Sequence, residues 1–127
     1  MGEAANGLEP QNRPITAKER ELIEWLLRHG NPGAEQFLSQ IAGLTVAWKC
    51  ICGCPTVNFE LEGERAPHDS EHILADFLAT AGEEAVGVIL FQKGGRLSSL
   101  EVYSLAGTDE PFGLPEIETI HAYERSG

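Results

Sequence analysis

The chain has 127 residues and sets twenty Asp and Glu against nine Lys and Arg, a net charge of −11. That length suits one domain with a buried core, and the acidity argues against phosphate backbones and anionic lipid surfaces, so neither nucleic acid nor membrane is an expected partner. No stretch reaches the roughly 18 consecutive apolar residues of a membrane span, and the opening MGEAANGLEPQNRP lacks the basic-then-apolar build of a signal peptide, which makes the cytoplasm the expected address.

Residues 1–14, rich in Gly, Pro, Asn and Glu, read as a flexible N-terminal tail, with 15–127 as a single α+β domain. The first strong element is a helix. Thr16 with Glu19 three residues on forms a capping box, and Leu22, Ile23, Leu26 and Leu27 recur at helical spacing with Trp25 at the border of the stripe. Gly30 is expected to end it in the left-handed conformation. A second helix is expected from Asn31 as cap and Pro32 at the first helical position. Ala34, Phe37, Leu38 and Ile41 would form its buried side and Gly43 its stop.

From residue 44 the period changes. LTVAWKC and TVNFELE mix β-branched and aromatic residues in rough alternation. Val57, Phe59 and Leu61 point one way, and Asn58, Glu60 and Glu62 the other. Glu60, Glu62 and Glu64 read as the wet side of a sheet. The more uniformly apolar VGVILFQ at 86–92 suits a central strand. Lys93-Gly94-Gly95-Arg96 supplies a tight hairpin whose two glycines take positive φ, and RLSSLEVYSL follows as its partner, with Leu97, Val102 and Tyr103 as candidates for burial. TDEPFGLPEIETI reads as an extended segment lying on the domain. Residues 69–82 fit two templates: a helical stripe of Ile73, Leu74, Phe77, Leu78 and Ala81, or alternation through Ile73, Ala75, Phe77 and Ala79.

Several segments together resemble a group of short, uncharacterised bacterial proteins without an established activity. They are the helix ending EWLLRHG, the turn CGCP, the stretch GVILFQKGGRLSSLEVYSLAG with its GRLSSLEVYS strand, and PFGLPEIETI. The resemblance spans roughly residues 18 to 120 and carries over no catalytic residue or cofactor. It implies a strand at 73–80, and a fold of two N-terminal helices packed on an antiparallel β-meander of about four to five strands.

The candidate chemistry centres on WKCICGCP. Cys50, Cys52 and Cys54 alternate, so on a strand they share a face. Three thiolates and an imidazole make a closed tetrahedral zinc set. Paired zinc cysteines usually have two or more residues between them, because a turn must wrap the sulfurs round the ion; a flat Cys-x-Cys strand holds them apart unless Gly53 curls its end. An odd count in a reducing compartment disfavours a disulfide. Cys is also a small, frequently buried hydrophobe, and packing is the leading reading of these residues. HDSEH at 68–72 spells the inverted zinc-peptidase signature, which would need His68 and His72 one helical turn apart with Glu71 as general base. Pro67 and the polar run before it argue for a loop.

The leading functional expectation is therefore a non-enzymatic binding or accessory domain without a cofactor, acting on a basic protein partner or a small ligand. An immunity- or antitoxin-like protein is one concrete form. The rival is a zinc-binding protein or metal-dependent enzyme using Cys50, Cys52 and Cys54 with His68 and His72. The sequence leaves the oligomeric state open, a homodimer included.

Overall fold

The computed structural model describes residues 8–122 and is α+β. In chain order its elements are β1 (Leu8–Pro14), α1 (Ala17–His29), a 3-10 helix (Ala34–Gly43), β2 (Leu44–Cys50), β3 (Val57–Leu61), β4 (Glu64–Arg65), β5 (Glu71–Ala81), β6 (Glu84–Lys93), β7 (Arg96–Ser104) and a short 3-10 turn (Ile117–Thr119). The seven strands make one antiparallel sheet in the order β1-β2-β3-β7-β6-β5, with β4 paired to β3. This is larger than the expected four to five strands and is not one meander. A meander, β5-β6-β7, joins a second antiparallel triplet, β1-β2-β3, in which both helices lie between β1 and β2; the junction is where Val57 and Asn58 face Leu100 and Ser99. Among the described residues no helix is long and apolar enough to cross a membrane.

The extra strand at one edge comes from the expected tail. Residues 1–7 lie outside the described residues, but Leu8–Pro14 pairs with β2 from Leu8↔Cys50 to Pro14↔Thr45. Pro10 and Pro14 are tolerated because an edge strand has one row of backbone groups without a partner strand, and Asn12 takes a positive φ of 47° where the register shifts. Arg13 then ties the strand to the helix through Glu19.

Helix α1 starts on the expected capping box, Glu19 N–H to Thr16 Oγ1 at 3.0 Å and Thr16 N–H to Glu19 Oε1 at 2.8 Å. Leu22, Ile23, Leu26 and Leu27 are fully buried. Trp25 at the border stacks on His29 and meets Phe77 edge-on. Gly30 ends the helix for a different reason from the one expected. Its φ of −84° is not left-handed; a Cβ there would lie 2.3 Å from the Leu74 carbonyl oxygen. The helix end thus runs against the backbone of β5. The second helix is 3-10 and begins at Ala34, without a side-chain cap. Asn31 is not the cap: Gly33 directly precedes the helix, and Asn31 is instead tied to β5, its side-chain amide donating to the Ile73 carbonyl and its N–H to the Leu74 carbonyl.

Residues 71–81 form a strand paired with β6 over its whole length. The helical template fails there because Ala75 and Ala79 are buried against neighbours that a strand brings close. β6 lies between β5 and β7, as its apolar run implies, with Val86, Val88 and Leu90 fully buried. Gly94 and Gly95 take φ of 55° and 85° in the expected hairpin. Leu97 and Val102 are buried, but Tyr103 is exposed; it pairs with Gly87, where a Cβ would meet its ring. The row of glutamates is broken, since Glu62 (φ 52°) and Gly63 form the turn from β3 into β4.

The C-terminal segment lies on the domain and covers the β5 edge. Leu78 and His121 exchange backbone hydrogen bonds of 2.9 Å each way. Thr80 donates to Thr119 Oγ1, and its carbonyl accepts from Glu116 N–H. Edge strands invite pairing with other chains, and this strap occupies the row that β5 would otherwise offer.

Candidate metal centre

β2 ends at Cys50 and β3 begins at Val57, so Ile51 to Thr56 must reverse the chain. The loop closes with Cys50 N–H donating to the Thr56 carbonyl at 3.2 Å. Thr56 in turn grips β7: its hydroxyl donates to the Val102 carbonyl at 3.1 Å and accepts from Val102 N–H at 2.9 Å. On the other side Cys50 pairs with Leu8 of β1. Gly53 takes φ 99° at the tip, and a Cβ there would fall 3.0 Å from Pro111. Phe112 N–H bonds the Gly53 carbonyl at 3.4 Å. Glycine is required at this one position twice over, by its dihedral and by the proline against it.

This turn gathers the cysteines. The Cys52 sulfur lies 2.6 Å from that of Cys50 and 2.9 Å from that of Cys54, and all three sulfurs fall within 4.8 Å of one another. Backbone N–H groups point at two of them, Cys52 N–H at the Cys50 sulfur (3.4 Å) and Cys54 N–H at the Cys52 sulfur (3.3 Å). Bonds of this kind fix the direction in which a sulfur presents its lone pairs. All three thiols are free; Cys50 and Cys54 are half-buried and Cys52 is exposed. Cys50 ends β2 and Cys54 sits in the turn, as expected, but Cys52 lies in the turn as well, not on the strand, and none of the three belongs to the buried core. The strand stops at Cys50, so strand alternation, which would have aligned the sulfurs but spread them out, does not apply beyond it.

The donor set fits a thiophilic ion. Zinc–sulfur bonds near 2.3 Å at a tetrahedral centre set the sulfurs about 3.7 Å apart. The Cys52 sulfur lies closer than this to both of its neighbours, so the three would have to spread to take an ion. The cluster opens onto a groove of about 460 Å³ that Glu101, Ser104 and Thr108 also line.

The histidines do not join it. Among the described residues, the His, Cys, Asp and Glu groups whose ligand atoms converge are Cys50, Cys52 and Cys54 alone. His68 lies on the loop before β5 and lines a different cavity, whereas His72 is within β5 opposite Gln92; both are exposed. With one on a loop and the other on a strand, the helical geometry of the zinc-peptidase signature is not formed. The sequence reading also missed Thr56, Pro111 and Phe112 as supports of the turn. The signal available was the Cys-Gly-Cys-Pro order itself, in which glycine and proline mark a turn.

No family model, curated protein or solved structure matches this chain in comparisons with known proteins.

Proposed function

We propose that this is a metal-binding protein, holding one thiophilic ion, zinc(II) or copper(I), on the thiolates of Cys50, Cys52 and Cys54. The observation that carries the reading is the convergence of three free sulfurs on a single turn braced by β1, β7 and the Pro111–Phe112 segment. Soft thiolate ligands select zinc and copper(I) over the hard cations that prefer carboxylate and water. A structural zinc site closes with four protein ligands, and a site that exchanges its ion or acts on a substrate keeps one position open. Three thiolates on an exposed turn supply the second arrangement, so the fourth position of zinc falls to a small ligand or to a donor from a partner. Copper(I) is satisfied by three sulfurs.

The test is metal content of untagged protein loaded with each ion under reducing conditions and desalted. One equivalent per chain, lost in Cys52→Ser, with a thiolate-to-metal charge-transfer band on cobalt substitution, is the expected result. Substoichiometric metal, or equal loading by a variant with all three cysteines replaced by serine, would overturn the reading.

A further inference from the structure

A second cavity, of about 400 Å³, lies where β2, β3 and β7 meet the loop that leads from β4 to β5. Three of its wall residues are cationic or can become so: Arg65, His68 and Lys93. No Asp or Glu is among its lining residues, in a chain whose net charge is −11. Two of the nine Lys and Arg thus share one concavity, whose nearest carboxylates, Glu60 beside Arg65 and Glu71 opposite Lys93, stand outside its lining. Arg65 reaches Glu60 only at 3.9 Å through Nε and lies over the Trp48 ring at 5.3 Å, so most of its guanidinium faces outward. Among the described residues no carboxylate comes within 4.0 Å of the Lys93 ammonium, although Glu71 is its register partner on β5.

The sheet is distorted to build this wall. The β2–β3 register slips at Ala47, so Trp48 pairs with Asn58 whereas Val46 pairs with the buried Phe59. Trp48 is thereby turned from the core face to the face of Asn58. The β6–β7 register slips at Ser98. Ser98 lines the cavity, is only 6% exposed, and its hydroxyl has no hydrogen-bond partner among the described residues. Bulges re-aim side chains beside binding sites, and a buried hydroxyl without a partner is a group that a ligand can satisfy. The roof is fixed too: a Cβ on Gly94 would lie 2.5 Å from Pro67, so the loop rests on the β6–β7 hairpin.

We infer that this cavity binds a small organic anion, its carboxylate or phosphate held by Arg65 and Lys93 and its apolar part against Trp48. Asn58 and Ser98 supply neutral hydrogen bonds to orient it. A pocket of this size in which polar groups converge beside apolar wall residues (Leu8, Trp48, Phe59, Ala66 and Pro67) has the form of a small-ligand site, with a more polar wall than is usual. The inference is independent of the thiolate turn, because no cysteine lines the cavity.

The experiment is titration of the isotopically labelled chain with phenyl phosphate, followed by amide shifts of Asn58 and Ser98 and the Trp48 indole signal, with neutral phenol as the control. Saturable shifts on these groups with the anion and not with phenol, unchanged by excess chelator, are expected. Lys93→Gln and Arg65→Gln should each weaken binding about tenfold, the scale of a lost hydrogen bond to a charged group. Absence of saturation, equal shifts with phenol, or unchanged affinity in both variants would overturn the proposal. Arg65 is exposed and Lys93 half-buried, and an unaltered spectrum elsewhere shows that each variant is folded.

Discussion

Arg13 and Glu19 meet through two parallel hydrogen bonds of 2.9 Å each, joining strand β1 to the first turn of helix α1. Glu19 also accepts from Thr16 N–H, and its residue is only 4% exposed. Burial works to raise the Glu19 carboxyl, but the bonds from Arg13 and Thr16 and the guanidinium charge outweigh it, and the net position is below the usual carboxylate range. A carboxyl lowered on folding contributes stability that is present above its unfolded value and is lost as pH falls through its folded value.

The first prediction follows from that sign. Arg13→Ala should cost about 2 kcal/mol at neutral pH, the scale of a hydrogen-bonded charge left without its partner. The difference from the parent should shrink as pH is lowered past the ordinary range of glutamate. Glu19→Gln should flatten the same part of the profile. Urea unfolding at a series of pH values measures both, and a gap that widens in acid would contradict the assignment.

Two glycines separate close approach from dihedral demand. Gly30→Ala places a methyl 2.3 Å from the Leu74 carbonyl and 2.7 Å from that of Leu26, so the helix end must lift from β5. A loss of about 1–3 kcal/mol is expected, as for other overpacked sites. Gly33 has φ 91° with nothing near its missing Cβ, so Gly33→Ala carries only the conformational penalty, about 1–2 kcal/mol. Hydrogen exchange distinguishes them: Gly30→Ala should expose the Asn31 amide, which donates to Leu74, and Gly33→Ala should not.

At the thiolate turn, Gly53→Ala should weaken metal binding without removing a ligand. The added methyl meets Pro111 and the φ of 99° is strained for alanine, so the turn shifts; a loss of about tenfold or more is the scale of disturbed ligand support. Competition against a coloured chelator reads the affinity.

Removing the ion should leave the fold standing. The buried hydrophobic core, from Leu22 to Val102, contains no cysteine. Excess chelator is therefore expected to leave far-ultraviolet circular dichroism unchanged and the transition cooperative, unlike small zinc domains that unfold without metal. Collapse of the spectrum on chelation would show that the turn helps hold the core.

The strap over β5 gives a further test. Thr119 Oγ1 accepts from Thr80 N–H and gives its one proton to the Glu116 carbonyl at 2.7 Å, with the Thr80 carbonyl the more distant alternative at 3.2 Å. Thr119→Val should cost about 1 kcal/mol and raise exchange of the Thr80 amide, with little change at Val88 on the central strand.

What the chain could say by itself was local. The capping box of α1, its buried stripe, the Gly94-Gly95 hairpin and the alternation of Val57 and Phe59 each rest on neighbours a few residues apart, where spacing fixes geometry. Residues 71–81 satisfied two local periods at once, and only pairing with β6 selects the strand. Leu8–Pro14 has the composition of a loop and becomes a strand because β2 offers an edge and Glu19 offers a charge for Arg13. The cysteines carry the same lesson at the candidate site. Their alternation was visible, but whether alternate sulfurs spread or converge depends on where the strand stops, and that is decided by Leu8, Val102 and Pro111, each more than forty positions away along the chain. The meeting of Arg65 and Lys93 on one cavity wall had no sequence signal either, because that wall is assembled from segments that meet only in three dimensions.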